Sequence, residues 1–281
     1  MLGHSEDGGL PPSQQLIDVG TVGAPLRIHV ATWSGPPDAA PLLLLHGIWD
    51  TWRIFARVGA ALAAERTVHA VDLRGHGDSD KPETDYGHED YAADVRGVLD
   101  ALGVTRVDLL GFSLGALVAA RLAADTPERV ARLLLEDPPH SPDADPRGRA
   151  AWLRTLLDLK EQPFEEVVEG MGDMYPMRDR AVNERSARAL LGTADGPFRA
   201  LLDADPTAND LPARLAAARP TLILRADPDF GGALTARGRD ELLAALPAAQ
   251  LVEFPDTGHL IHAEREADFL VPVEGFLRRA G

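Results

Sequence analysis

The sequence predicts an α/β fold in which a mostly parallel sheet of eight strands is covered by helices on both faces. Three observations carry this. Several short runs are apolar at every position, with PLLLLHG at 41–47 the clearest, and a strand buried on both faces reads that way. Segments with helical spacing at 51–65, 88–102, 114–124 and 236–246 alternate with such runs, as parallel strands require crossover helices. The chain has 281 residues, 45% hydrophobic and 26% charged, enough to bury a large single core.

Taken in order, residues 1–13 are rich in Gly, Pro, Ser and acids and read as a mobile tail. QLIDVG (15–20) and PLRIHVATW (25–33) alternate apolar and polar residues, so they are expected as half-buried antiparallel strands. GPPDAAP is a loop. The apolar strands follow: 41–47, TVHAVDL (67–73), RVDLLGF (106–112), RLLLED (132–137), TLILRAD (221–227) and QLVEF (250–254). From 138 to 219 no strand signal appears, only helix-like stretches such as AWLRTLLDLK, EEVVEGMGDMY and ERSARALLG. That length is too great for an ordinary loop and reads as a helical lid or cap. The expected organisation is a core of 14–137 and 220–281 with a lid insertion at 138–219.

Charge narrows the function. With 28 basic and 44 acidic residues the formal charge is −16, which repels nucleic-acid phosphates and anionic lipid. Cysteine is absent, so disulfides, thiolate metal sites and a cysteine nucleophile are excluded. The opening MLGHSEDGGLPPSQQ lacks an apolar run, and nothing approaches the ~20 apolar residues of a membrane span. The expectation is a cytoplasmic protein with no membrane or nucleic-acid partner.

The chemistry centres on Gly111-Phe112-Ser113-Leu114-Gly115, a G-x-S-x-G motif. The apolar strand VDLLG runs into it and the helical LGALVAARLAA leaves it. A sharp strand-to-helix turn there lifts the Ser113 hydroxyl above the sheet and aims the Leu114 N–H at a developing oxyanion. An incidental serine in a glycine-rich turn is the plain alternative.

Four stretches in order, LLLLHG, DLRGHGDSD, GFSLG and DTGHLIH, resemble the α/β-hydrolase superfamily from about residue 15 to the C-terminus. The resemblance implies an esterase-like serine hydrolase with a helical lid and a triad in the chain order serine, acid, histidine, needing no cofactor or metal. Of the nine histidines, His140, His259 and His262 follow Ser113. His259, in PDTGH after the last strand, matches the family's base, with Gly258 allowing its loop to turn. His262 is expected behind it or at the surface, and His140 in a solvated loop. Asp229 resembles the usual acid, Asp227 is the second candidate and Asp137 the third; any of them also suits a turn or helix cap. Ile48 supplies the second oxyanion amide by the same resemblance. His46 braces that loop, and the Arg74-to-Ser79 turn is structural, its His76-x-Asp78 pair too sparse for a metal.

Trp49 and Phe112 are expected in the substrate pocket, with Trp52 beside them. The lid adds Trp152, Phe164, Met171, Met174, Tyr175, Met177 and Phe198, which either line the pocket or hold the lid to itself. The expected partner is a small-molecule ester or related acyl compound, with a homodimer through an apolar lid surface as an option. The leading function is hydrolysis of a carboxylic ester or lactone through an acyl-enzyme. Carbon–carbon bond hydrolysis of a vinylogous diketone, amide hydrolysis, and a non-catalytic ligand receptor are the alternatives.

Overall fold

The strands are β1 (Ser13–Asp18), β2 (Arg27–Trp33), β3 (Leu42–Leu45), β4 (Val68–Val71), β5 (Val107–Phe112), β6 (Val130–Glu136), β7 (Thr221–Ala226) and β8 (Gln250–Phe254). In the computed structural model they form one sheet in the order β1-β2-β4-β3-β5-β6-β7-β8. Described are residues 11–20, 25–143, 145–176, 178–204, 211, 215 and 220–279. The β1–β2 and β2–β4 pairs are antiparallel and all others parallel.

The four leucines of β3 show why the all-apolar runs become central strands. Successive side chains leave a strand on opposite faces. Leu43 and Leu45 join one core with helices α2 (His88–Ala101) and α3 (Leu114–Asp125). Leu42 and Leu44 join another with α1 (Ala56–Leu62) and the C-terminal helix. Edge strand β1, by contrast, is exposed except at Ile17.

Among the described residues four helices follow β6: α4 (Pro146–Lys160), α5 (Phe164–Met174), α6 (Arg180–Gly192) and α7 (Gly196–Asp203). Asp145 caps α4, accepting from Arg147 N–H, with Pro146 in its first turn, and Asp179 caps α6 through Val182 N–H. Both positions use a short carboxylate to satisfy an amide that has no helical partner. Leu153, Leu156, Val167, Val168, Met171, Leu190 and Phe198 are buried in the core that includes Leu43 and Leu45. After β7 come α8 (Ala236–Ala245), α9 (Ile261–Glu264) and α10 (Glu266–Leu277).

Three of the boundaries that differ from the sequence reading have a local physical cause. β1 begins at Ser13, inside the stretch assigned to a tail, because it pairs with β2 from Ser13↔Thr32 onward; residues 1–10 lie outside the described ones. The segment 51–65 opens as a 3-10 turn at Trp52–Phe55 under a Thr51 cap before becoming helical. The apolar run ending in Asp137 stops as a strand at Glu136, since Asp137 adopts φ 41°.

The β5–α3 junction depends on two missing side chains. A Cβ on Gly115 would overlap the Leu45 carbonyl, and one on Gly111 would overlap the backbone of Gly115. Glycine at both positions lets the helix start directly against β3, and Ser113 stands at the turn between them.

Candidate active site

Ser113 has φ 52° and ψ −117°, a conformation costly for a residue with a side chain. Its N–H donates to the Glu136 carbonyl at 3.0 Å, tying the turn to the end of β6. The non-glycine residues with positive φ are Trp49, Asp85, Ser113, Asp137 and Asp256 among the described residues. All but Asp85 follow the C-terminal ends of strands, at β3, β5, β6 and β8. Strain is therefore concentrated along the edge where a site on an open α/β sheet forms. Beside Ser113, the amides of Leu114 and Ile48 donate to no backbone carbonyl among the described residues.

His259 is brought to this edge by the loop after β8. Its Nδ1 lies 2.5 Å from Asp137 Oδ2. The carboxylate of Asp137 is fully buried and also accepts from the amides of Ala233 at 2.7 Å and of Ala226 and Leu234 at 3.3 Å. Those donors occupy the remaining lone pairs of the buried carboxylate. A carboxylate at Nδ1 leaves Nε2 as the basic nitrogen of the ring. The Phe112 ring packs against the imidazole, centroids 4.7 Å apart.

This placement reverses the order expected among the aspartates. Asp229 is exposed, and its amide donates to Asp227 Oδ1 at 3.0 Å. Asp227 spends its other oxygen on the Asp256 amide at 3.0 Å, so it pins the His259 loop from outside. The third candidate, Asp137, is the one that meets His259. The physical reason is the turn at φ 41°, which swings its side chain from the end of β6 toward β7 and the β8 loop. Gly258 also acts otherwise than expected. Its φ is not positive; the absent Cβ makes room for Glu264, whose carboxylate accepts from Gly258 N–H at 2.7 Å.

His262 is neither exposed nor idle. It and Glu136 are fully buried, with Nδ1 2.8 Å and 2.9 Å from the two carboxylate oxygens, and its backbone N–H donates to Glu136 at 2.9 Å. Burial alone would lower the imidazole pKa, but the Glu136 charge and hydrogen bond overcome this and raise it. A raised folded-state pKa contributes stability that is complete below the ordinary value of ~6.5 and is lost as pH rises through the folded value. Glu136→Gln is therefore expected to cost about 3–5 kcal/mol, with the gap to wild type wider in urea melts at pH 6 than at pH 9. Equal gaps at both pH values would show that the imidazole is uncharged.

His46, His76 and His140 are held by structural contacts. His46 Nδ1 bonds to the Gly47 carbonyl at 2.7 Å, and Nε2 accepts from Leu73 N–H at 3.0 Å. Burial lowers its pKa, so it stays neutral and braces the loop as expected. His76 is driven by burial down to about 3 and bonds to the Arg74 carbonyl. His140 is buried with Nε2 2.9 Å from Glu241, contrary to the solvated loop expected. His29, Asp72 and Asp78 bring three potential metal ligands together. Asp72 nevertheless already accepts from the amides of Trp52 and Asp78, with His29 Nδ1 3.0 Å away. These contacts describe a turn held by one buried carboxylate.

The aromatic residues divide. Phe112 supports His259 from beneath instead of lining a pocket. Trp52 packs on Trp33 and His29 within the core. Trp49 reaches up to Trp152 of α4, centroids 5.3 Å apart, and Trp152 Nε1 donates to the Tyr175 hydroxyl at 3.3 Å. Met171 and Phe198 are buried among the helices that follow β6, and Arg188 covers Phe164. Met174 is partly buried against the same core. Met177 lies outside the described residues.

Sequence reasoning missed Asp50, Glu136 and Arg178. Asp50 is buried and its carboxylate folds over Gly47 beside Phe112. Desolvation raises its pKa to about 6, partly offset by His262, Arg178 and His259. An acid at the end of an all-apolar strand, as in Glu136, and one directly after Trp49, as in Asp50, are the signals available in the sequence.

No helix among the described residues is long and apolar enough to cross a membrane. The model of the alpha/beta hydrolase fold family matches residues 40–266. The 2-(acetamidomethylene)succinate hydrolase of Mesorhizobium japonicum is 32% identical over 201 residues, covering 67% of this chain and 71% of that protein. The sn-1-specific diacylglycerol lipase of Mus musculus is 27% identical over 271 residues, covering 90% and 86%. Three uncharacterized mycobacterial proteins are 45% identical over 102 residues, but the match spans only 36% of this chain and 29% of theirs. A crystal structure of E-2-(acetamidomethylene)succinate hydrolase superposes with a TM-score of 0.78 at 22% identity, covering 95% of this chain and all of that one. With the strained serine, the eight-stranded sheet and the family model all in agreement, the chain belongs to the α/β hydrolase fold family.

Proposed function

We propose that this protein is a serine hydrolase of carboxylic esters or lactones, with Ser113 as nucleophile, His259 as base and Asp137 as the triad acid. The observation that carries the reading is the 2.5 Å contact of His259 Nδ1 with buried Asp137, at the same sheet edge as a serine on a strained turn. In this reading His259 Nε2 takes the Ser113 proton as the oxygen attacks the acyl carbon. The amides of Ile48 and Leu114 receive the oxyanion. Collapse breaks the ester bond, and the leaving alcohol takes the proton from His259. Water, deprotonated by His259, then releases the acid and regenerates the hydroxyl. The helices between β6 and β7 serve as the lid, joined to the oxyanion loop through Trp49 and Trp152.

Amide cleavage by the same groups is a second reading, favoured by the acetamido group in the name of the 32% identical relative. The first test is hydrolysis of a p-nitrophenyl ester series from acetate to decanoate, with mass spectrometry after treatment with a fluorophosphonate. Turnover together with one phosphonyl adduct on the Ser113 peptide is expected. A folded protein that neither turns over nor labels overturns the serine hydrolase reading. Labelling at Ser113 without ester turnover directs the search to amides.

A further inference from the structure

Arg178 sits in the link between α5 and α6 with its guanidinium carbon 3.9 Å from the centre of the Tyr175 ring. That ring is fixed in turn, since its hydroxyl accepts from Trp152 and Trp152 packs on Trp49. Trp49 directly follows Ile48, whose amide is the proposed oxyanion donor. A continuous set of contacts thus runs from the oxyanion loop to one guanidinium. Arg178 is half-buried and makes no ion pair among the described residues. Its neighbours differ: Arg180 pairs with Glu165 and Glu184, and Arg188 with Glu184. In a chain with 44 acids against 28 bases, a half-buried arginine with no carboxylate in ion-pair contact among the described residues is open to an incoming anion. Asp50, which directly follows Trp49, feels the charge of Arg178 together with those of His259 and His262, so the guanidinium lies within electrostatic reach of the same carboxylate as the two imidazoles.

We propose that Arg178 binds a carboxylate of the substrate, making the natural substrate an anionic acyl compound such as the half-ester of a short dicarboxylic acid or a carboxylated lactone. This rests on the serine hydrolase reading and names its substrate class. Stacking on Tyr175 fixes the plane of the guanidinium and leaves its N–H edge for a bidentate contact. Asp50 is the competitor. The charged and titratable groups facing it are His262, Arg178, His259 and Glu136. Above about 6 its carboxylate is ionised and draws on the same guanidinium. Below that value it is neutral, and the incoming carboxylate has Arg178 to itself.

The test compares kcat/KM for p-nitrophenyl hemiglutarate and p-nitrophenyl butyrate, because their ratio cancels the ionisation of the base. In Arg178→Gln the anionic-to-neutral ratio is expected to fall ~10–100-fold, the worth of a charge-assisted contact. Arg178→Lys should recover part of it. Asp50→Asn should raise the ratio at pH 8 and flatten its rise toward pH 5.5. A change of less than about threefold in Arg178→Gln, or equal losses in the Gln and Lys variants, would overturn the proposal. A second measurement needs no turnover: glutarate, but not dimethyl glutarate, should shift Trp49 and Trp152 fluorescence saturably, and the shift should vanish in Arg178→Gln. Glutarate binding without hydrolysis of either ester retains the anion site and rejects the hydrolase reading. Turnover indifferent to acyl charge, with no glutarate response, does the reverse.

Discussion

Asp137→Asn is expected to lower kcat about 10⁴-fold on any ester the wild type accepts, while Asp229→Asn stays within twofold. An asparagine of the same shape can keep the Ala226 and Leu234 contacts only by placing its oxygen at the Oδ1 position, which gives up the Ala233 amide because that amide shares Oδ2 with His259. It then turns its NH₂ toward His259 Nδ1. The imidazole must respond by moving its proton to Nε2, and the nitrogen needed as base is blocked. The carboxylate also stabilises the imidazolium that forms during attack, and that is lost as well. KM should change little, since Asp137 is buried beneath the imidazole and faces no substrate. Stopped-flow or steady-state kinetics on the two variants decide the matter. An Asp229 variant that fails while Asp137→Asn survives would move the acid back to the exposed loop.

Ser113→Ala should remove about 10⁶-fold of kcat, leaving only what the amides of Ile48 and Leu114 and substrate binding supply. The same change is expected to stabilise the fold slightly or leave it unaltered. Ser113 stands at φ 52° whatever its side chain, and the hydroxyl makes no hydrogen bond among the described residues. Activity and thermal melting of one preparation would show this separation. A variant that loses activity only in proportion to folded protein would assign the serine a structural task.

Much of this was legible in the sequence. All-apolar strands, helical segments between them and a G-x-S-x-G turn in the right setting lead to the sheet, the helices and Ser113. The PDTGH loop leads to His259. The carboxylate partner of His259 was harder to find because three aspartates each end a strand or follow one, and sequence spacing carries no sign of φ. A single positive φ at Asp137 decides which carboxylate reaches His259, and local pattern cannot encode a contact 122 residues away. Phe112 reads as a pocket residue because it borders the serine, yet strand alternation sends its ring to the opposite face, under the imidazole. Arg178 carried no signal, since a surface arginine and one stacked over a site look alike until the α5–α6 link is folded.

The bonds of Asp137 also bear on how the chain reaches its native state. Its carboxylate is buried within the sheet, and the partners at Ala226, Ala233, Leu234 and His259 are 89 to 122 residues further along. A nascent chain that has made only β1 to β6 would have to bury this charge with nothing to satisfy it, at a cost of several kcal/mol. Premature closure of the first half is disfavoured, and the two halves are coupled into one cooperative transition. Recovery of activity on refolding should then coincide with docking of β7, β8 and the loop after them. On the serine hydrolase reading, a half-built sheet that already holds the serine is expected to show no turnover.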